Sequence, residues 1–197
     1  EANCGGYFGP ELKKTGYDGI IIKGASESPV YLHITEQGAE LKDATHLWGK
    51  GTLETHEILK EESGSNLTRV ACIGQAGENL IKFATILSED KSAGRTGMGA
   101  VMGSKKLKAI AVKGPKRSYE AAQPEEFDQT VKQMIEEVNN SFTTQMFGML
   151  GTPAGVDKYN AEGELPIKYW TQGEWDSAGD TFGDTASQKI YLKQYPC

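Results

Sequence analysis

Cysteine is scarce in this sequence of 197 residues, which contains only Cys4, Cys72 and Cys197. Three scattered cysteines do not build the disulfide framework of a small secreted protein, so we expect a chain of the reducing cytoplasm. Long apolar runs are also missing, because no stretch approaches the ~18 residues that a transmembrane helix needs. The first residues lack the pattern of a signal peptide. We therefore expect no membrane partner.

Positive charge is in deficit as well. The chain carries 21 Lys and Arg residues against 27 Asp and Glu, which gives a formal net charge of −6. Because general nucleic-acid binding needs a basic surface that neutralises phosphates, we expect no nucleic-acid partner. Hydrophobic residues make up 38% of the chain and charged residues 24%, a composition typical of a globular protein with a substantial core.

Neither end of the chain has the features of a natural terminus. The sequence opens without Met, inside the Gly-rich turn "EANCGGYFGP", and it stops at "KQYPC". We interpret the sequence as a fragment of a longer protein.

The first two thirds of the chain have strand patterns separated by turns. Ile20 to Ile22 form a β-branched run that predicts a strand buried on both faces. Val30 to Thr35 and Ala39 to Ala44 flank a Glu-Gln-Gly turn and predict a hairpin. The other predictions are a short helix over 10–15, a helix over 53–62 capped by Thr52, and strands within 68–74, 79–87 and 107–114.

The pattern changes after Gly114 and Pro115, where we place the domain boundary. Beyond it, apolar residues recur at the spacing of an amphipathic helix: Phe127, Val131, Met134, Ile135 and Val138. Glycine and proline return from Gly148 to Gly183, which predicts loops with short helices, and a last helix is expected within 185–197. The predicted fold class is α+β, with a β-rich domain over residues 1–115 and the start of a mostly helical domain over residues 116–197.

The most unusual stretch is "AGRTGMGAVMGSKK", from Ala93 to Lys106. It does not match the dinucleotide pattern G-x-G-x-x-G, because Met102 stands at the third glycine position and no acidic residue follows about 20 positions later. It does not match a phosphate-binding P-loop either, because its Gly-Ser-Lys-Lys end has the wrong order. Neither nucleotide motif is present.

Two interpretations of this stretch stay open. Glycines allow consecutive backbone N–H groups to form an anion-binding concavity, and Lys91 and Arg95 would add full positive charges at its mouth. The alternative is a mobile surface turn in which some glycines serve only tight packing. A second Gly-rich turn, Asn3 to Gly9, is by itself most simply a structural turn.

The histidines and two of the cysteines do not form a metal or catalytic pattern. No two of His33, His46 and His56 have metal-ligand spacing on one face, so we assign all three to structural roles. Cys72 lies in the middle of a predicted strand and is expected to be a buried structural residue. Cys4 is assigned no role.

Six segments carry a family resemblance: "NCGGYFGPELKKTGYDGIIIKG", "PVYLHI", "DATHLWGKGTLET", "IGQAGENLIKFATI", "AGRTGMGAVMGSKKLKAIAVKG" and "GTPAGVDKYNAEGELPIKYW". In this order and at this spacing they resemble the tungsten-dependent aldehyde ferredoxin oxidoreductases. The likeness covers essentially the whole chain, is most specific at Ala93 to Lys106 and is weakest over Lys116 to Phe147.

The resemblance implies a set of cofactors and partners. A tungsten or molybdenum atom would be held by two molybdopterins whose phosphates are joined through Mg, and a [4Fe–4S] cluster would lie beside one pterin. The implied reaction oxidises a small-molecule aldehyde with water to a carboxylic acid and passes electrons through the cluster to ferredoxin. The β-rich domain would be the base on which the pterins lie. A homodimer is left open.

Carried over residue by residue, the resemblance assigns cofactor binding to Asn3, Gly5, Lys91, Ser92, Ala93, Gly94 and Arg95. The backbone oxygens of Asn3 and Ser92 would bind Mg, and Cys197 would be the first cysteine ligand of the [4Fe–4S] cluster. The family usually has Arg where this chain has Lys91, which keeps the positive charge but loses the planar guanidinium. The family's acid–base residues would lie beyond Cys197, so none is assigned here.

Two alternatives to aldehyde oxidation remain. The chain could belong to a same-family oxidoreductase that acts on a carboxylic acid or an aromatic acyl thioester, because the substrate pocket would lie downstream. It could also be a non-catalytic module that retains the fold. In either case we expect this fragment to be inactive alone, since it would lack the other cluster ligands and the downstream pterin-binding residues.

Overall fold

The computed structural model describes residues 1–115 and 121–180 of the chain. The chain divides into two compact units, and these two ranges are their described parts. The first unit is a sheet with helices on both faces, and the second is built from helices and loops. The α+β class predicted from the sequence is confirmed. That residues 116–197 open a larger helical domain stays a prediction.

The first unit contains one mixed sheet. Its strands are β1 (Val30–Thr35), β2 (Gly38–Asp43), β3 (Arg69–Cys72), β4 (Ile86–Ser88), β5 (Lys91–Ala93) and β6 (Leu107–Lys113). The strand order is β2-β1-β6-β3-β4-β5, in which β1 and β6 are parallel and the other neighbours are antiparallel. The helices are α1 (Phe8–Lys14), α2 (Thr52–Glu62), α3 (Gln75–Glu78) and α4 (Met98–Ser104), with a 3₁₀ turn at Thr45–Leu47.

The sheet buries both of its faces. Because side chains alternate along a strand, Tyr31 and Ala109 face one layer while Ile34 and Val112 face the other. The first layer packs against α2 through Leu59. The second layer packs against α1 and α4, where the apolar clusters include Leu12, Val112, Ile73, Met102 and Leu107.

Several predicted elements of this unit are confirmed and others are wrong. The hairpin of β1 and β2, the helix α2 and the strands β3 and β6 lie where the sequence predicts them, although the N-cap of α2 is Gly51 and not Thr52. The strand predicted at Ile20 to Ile22 does not form, and the Ile21 side chain is 87% exposed. Apolar runs this short do not distinguish strands from other buried segments, and here only Ile20 packs on the core.

The segment before the glycine stretch also differs from its prediction. The strand expected within 79–87 is reduced to β4, because residues 79–82 turn and Leu80 has a left-handed φ of +57°. The strand β5 was not predicted at all. It pairs with β4 as a short antiparallel hairpin, with Ser88 opposite Lys91 and Leu87 opposite Ser92.

The glycines of the stretch 93–106 serve close backbone packing. A Cβ atom at Gly103 would lie 1.9 Å from the Gly77 carbonyl oxygen, and one at Gly99 would lie 2.5 Å from the Thr85 carbonyl oxygen. Gly97 adopts a left-handed φ of +68° directly before α4. No side chain fits at these contacts, so α4 lies directly against the backbone of α3 and of the segment before β4.

A buried ion pair ties the same region to the sheet. The Lys108 side chain is fully buried in β6 and its Nζ donates to Glu78 Oε1 and, over 2.8 Å, to the Lys50 carbonyl oxygen. The other oxygen of Glu78 accepts a hydrogen bond of 2.8 Å from Gly49 N–H. Every polar group of this cluster therefore has a partner, as burial of charge requires. Sequence reasoning missed it, because a lysine within "LKAIAVKG" resembles any surface residue of a strand.

The prediction that Cys72 is buried is confirmed, and the structural roles assigned to His33, His46 and His56 stay predictions. Burial lowers the pKa of His56, whose Nε2 lies 2.8 Å from the Val70 carbonyl oxygen. His46 forms a surface pair with Glu62 at 2.7 Å. Cys72 is fully buried, and burial raises its pKa to about 12.

The second unit begins where the sequence predicts a helix. Its elements are α5 (Pro124–Asn140), α6 (Phe142–Leu150), a 3₁₀ turn at Thr152–Gly155, α7 (Val156–Ala161) and a 3₁₀ turn at Ala178–Asp180. Asn160 of α7 contacts a later loop, because Trp175 N–H donates to Asn160 Oδ1 over 2.9 Å. The helix predicted within 185–197 lies outside the described residues. Across 1–115 and 121–180, no helix has the length and apolar character to cross a bilayer.

The glycine contact gives a first prediction. Gly103→Ala should lower the free energy of unfolding by about 2–3 kcal/mol, because the new methyl group overlaps the Gly77 backbone and outweighs the gain in helix propensity. Gly19→Ala is the matched control, since its Cβ would meet open space; it should change the free energy by less than ~0.5 kcal/mol. Urea unfolding measures both. Equal stability of the two variants would contradict the packing role of Gly103.

The buried ion pair gives a second prediction. Lys108→Met should lower the free energy of unfolding by about 3–5 kcal/mol, because the Glu78 carboxylate stays buried without its cation. Lys13→Met removes a lysine from an exposed pair with Asp18, and its cost should stay below ~1 kcal/mol. The same urea titration compares them. A Lys108→Met protein as stable as the Lys13→Met protein would show that the pair is dispensable.

Candidate functional site

The N-terminal segment lies against the β4–β5 hairpin. Cys4 is exposed, and its thiol lies beside the Ser88 backbone; partial desolvation raises the pKa of this thiol despite the Ser88 hydrogen bond and the nearby Lys91 charge. Gly6 adopts a left-handed φ of +93°, and a Cβ there would lie 3.3 Å from Lys91 Cγ. The segment that begins at Asn3 is thus held beside the hairpin that begins the glycine stretch.

A cleft of about 810 Å³ opens where the two segments meet. It is lined by Glu1, Ala2, Asn3, Ser92, Gly94 and Arg95. Four residues that the resemblance assigns to cofactor binding are therefore brought together at one surface: Asn3 from the start of the chain, and Ser92, Gly94 and Arg95 from the glycine stretch.

Strand alternation decides which residues of 91–95 reach the cleft. Ser92 and Gly94 line it, whereas Ala93 is buried on the opposite side of β5. Lys91 is half-buried. Its Nζ lies 3.4 Å from Asp90 Oδ2, and its Cγ packs along Gly6. The structure therefore places Lys91 and Ala93 behind the cleft wall and not on its surface.

Gly5 is also assigned to cofactor binding, and it does not line the cleft. Gly5 is exposed beside the cleft in the N-terminal segment, with open space where a side chain would stand. Cys197 lies outside the described residues. Among the residues that the structure describes, no group of three or more His, Cys, Asp or Glu side chains is arranged to hold a metal ion.

A strained turn follows Arg95, one of the residues that line the cleft. Thr96 has a left-handed φ of +60°, a conformation that a β-branched residue rarely adopts, and Gly97 continues it. The Thr96 hydroxyl donates to the Arg95 carbonyl oxygen over 2.7 Å, and the Glu1 carbonyl oxygen lies 3.3 Å away. Thr96 is not among the residues predicted from the sequence, because residue type alone does not indicate that a threonine adopts a left-handed φ.

The backbone of the glycine stretch contributes less to an anion site than its sequence suggests. The Gly99 N–H donates to the Ala84 carbonyl oxygen over 2.9 Å, so this amide does not face the cleft. Two of the three basic residues are also engaged elsewhere: Lys105 Nζ donates to the Gly24 carbonyl oxygen over 2.9 Å, and Lys106 Nζ donates to the Glu27 carbonyl oxygen. Arg95 is the basic residue of the stretch that lines the cleft.

The cleft thus offers an exposed guanidinium, an amide side chain, a serine and the backbone of two segments. Glu1 adds one carboxylate to the same lining. A guanidinium binds phosphate or carboxylate oxygens through two parallel hydrogen bonds, and backbone oxygens are suitable ligands for Mg. This donor set fits a phosphate-bearing ligand that carries a hard cation.

Comparison with known proteins identifies the family. The model described as "Aldehyde ferredoxin oxidoreductase, N-terminal domain" matches residues 1–114. The chain belongs to this family. The match covers the whole sheet with its cleft, and it confirms the resemblance on which the cofactor-binding residues were assigned.

The family has curated members that resemble the chain from end to end. A tungsten-containing aldehyde ferredoxin oxidoreductase of Thermococcus kodakarensis is 43% identical over 100% of this chain, which corresponds to 33% of the relative. Its counterpart from Pyrococcus furiosus is 40% identical over the same shares of each protein. The chain spans about a third of the length of these relatives.

A solved structure of similar fold is named for another enzyme, a benzoyl coenzyme A reductase. The active site complex BamBC of benzoyl coenzyme A reductase, determined with 1,5-dienoyl-CoA, is 39% identical in sequence and superposes with a TM-score of 0.71. The superposition covers 82% of this chain and 26% of that one. Family membership therefore establishes an oxidoreductase scaffold and leaves the substrate undecided.

Proposed function

We propose that this chain is part of the cofactor base of a tungsten-dependent oxidoreductase, and that the phosphate of a pterin binds in the cleft between Asn3 and Arg95. The observation that carries the proposal is the meeting of Asn3, Ser92, Gly94 and Arg95 around one cleft. The two relatives are named as tungsten-containing enzymes, which supports tungsten as the metal.

In this proposal the residues of the cleft have separate tasks. Arg95 pairs with the phosphate through its planar guanidinium. The backbone oxygens of Asn3 and Ser92 would hold a Mg ion, which would offset phosphate charge, and the absence of a side chain at Gly94 and Gly5 leaves room for the pterin. Lys91, which pairs with Asp90 and does not line the cleft, adds positive charge close to it.

The tungsten pterin, when bound, supplies the redox chemistry, and the protein supplies binding, orientation and charge. Cys197, as the first cysteine ligand of a [4Fe–4S] cluster, would set the start of the electron path to ferredoxin. No residue of this chain is proposed to carry a proton in the reaction. We place the protein in the cytoplasm and leave its oligomeric state to measurement.

The substrate we favour is an aldehyde that becomes a carboxylic acid, because both curated relatives are named for that substrate. An aromatic acyl thioester is the second candidate, since the benzoyl coenzyme A reductase complex shares 39% identity with this chain. Both candidates are compatible with the same pterin-phosphate cleft, because the substrate pocket would lie downstream of this chain. Assays of the purified complete protein with an aldehyde series and with benzoyl-CoA would separate them.

Metal analysis of the complete protein, purified anaerobically, is the test of the proposal. We expect tungsten with two pterins and about four iron atoms per polypeptide, the content of one [4Fe–4S] cluster. Molybdenum in place of tungsten would keep the site and change its metal. If the protein contains none of tungsten, molybdenum and iron, the proposal is ruled out, and a non-catalytic module with the same fold is favoured.

The role of Arg95 can be measured separately. Arg95→Ala should lower the tungsten and pterin content of the complete protein by roughly tenfold, because a charge-assisted phosphate contact is lost. Its melting temperature without cofactor should hardly change, since the side chain is exposed. Lys105→Ala is the control, because it removes a cation of the same stretch that faces away from the cleft. Equal loss of cofactor in both variants would mean that Arg95 does not contact the phosphate.

A further inference from the structure

Arg69 contacts both segments that form the cleft, although it does not line the cleft itself. It stands at the start of β3, and its guanidinium carbon lies 4.9 Å from the centre of the Tyr7 ring. Its Nη1 donates to Glu89 Oε1 in an ion pair whose side chains are only 24% and 17% exposed. One guanidinium therefore stacks on the N-terminal segment and pairs with the β4–β5 hairpin.

On the N-terminal side, Tyr7 controls where the first residues leave α1. Tyr7 is the residue before the helix, and its carbonyl oxygen accepts a hydrogen bond of 3.0 Å from Glu11 N–H. Gly6 and Asn3 precede it directly in the chain. A ring held by Arg69 thus fixes the end of the segment that carries Asn3 and Gly5 to the cleft.

On the hairpin side, Glu89 forms the turn between β4 and β5. Its φ of +58° is left-handed, and its N–H lies 3.4 Å from His56 Nε2. The turn ends at Lys91, the first residue of β5, so the position of Glu89 sets where Ser92 and Gly94 stand. A half-buried pair with Arg69 is screened little by salt and holds this turn firmly against β3.

We propose that Arg69 is a positioning residue that fixes the two walls of the cleft relative to each other. This inference rests on the proposed function, since it states how Asn3 and Ser92 are kept together at the cleft in which they would hold Mg. A flat guanidinium is suited to the task because it stacks on an aromatic ring with its face and pairs with a carboxylate at its edge. Lysine cannot do both in one fixed geometry.

The test compares Arg69→Gln, Arg69→Lys and Tyr7→Leu with the control Lys13→Gln in the complete protein. Tungsten content reports on the loaded site. The rate of Cys4 alkylation by iodoacetamide, followed by peptide mass spectrometry, reports on docking of the N-terminal segment. Cys4 is exposed, but partial desolvation beside Ser88 raises the pKa of its thiol, so the docked segment reacts more slowly than a free one. Melting temperatures without cofactor show how much each substitution lowers the stability of the folded protein.

Arg69→Gln should raise the Cys4 alkylation rate above that of the wild type, and it should lower the tungsten content by about tenfold. Arg69→Lys should give intermediate values. Tyr7→Leu should also speed alkylation, although it leaves the ion pair of Arg69 with Glu89 intact. If Arg69 only stabilised the fold, removing the Tyr7 ring would not change the alkylation rate of Cys4. The control should match the wild type in both measurements.

Wild-type alkylation rates in both Arg69→Gln and Tyr7→Leu would overturn the inference, and so would a wild-type tungsten content in Arg69→Gln. If Arg69→Gln fails to fold, Arg69→Lys and Tyr7→Leu decide by the same criteria. A wild-type protein without tungsten would contradict the proposed function, and the alkylation rates would still show whether Arg69 docks the N-terminal segment.

Discussion

The contact of α4 with the backbone of α3 is the constraint on which the rest of the first unit depends. Gly103 meets the Gly77 carbonyl and Gly99 meets the Thr85 carbonyl at distances that exclude any side chain. This contact fixes the start of α4. Thr96 and Gly97 form a left-handed turn that connects the cleft residues to α4. Packing and the candidate site therefore share one stretch of sequence: the glycines hold the helix in place, and the residues that precede them line the cleft.

The fold was largely predictable because its main elements are recorded in local patterns. The hairpin of β1 and β2, the helix α2 and the strand β6 follow from alternation, helical spacing and turn residues. The opening of α5 at Pro124 follows from a proline and an acidic first turn. The run Ile20 to Ile22 shows the limit of such patterns, since the same residues can form a strand or lie across a surface.

The candidate site was predictable only in part, and for a physical reason. The resemblance to a family supplied Asn3, Ser92, Gly94 and Arg95, and the structure brings these four together. The contacts that support them are tertiary: the pair of Lys108 with Glu78 and the stacking of Arg69 on Tyr7 join residues 30 or more positions apart. No local pattern marks such contacts. The pairing of β5 with β4, which turns Ser92 toward the cleft and Ala93 away from it, was hidden for the same reason.

The central claim is that the cleft between the N-terminal segment and β5 receives a pterin phosphate. An experimental structure of the complete protein with its cofactor tests this most directly. The account predicts a Mg ion on the backbone oxygens of Asn3 and Ser92, and a phosphate within hydrogen-bond distance of the Arg95 guanidinium, about 2.7–2.9 Å. A cofactor whose phosphates lie elsewhere, with this cleft filled by another part of the polypeptide, would contradict it.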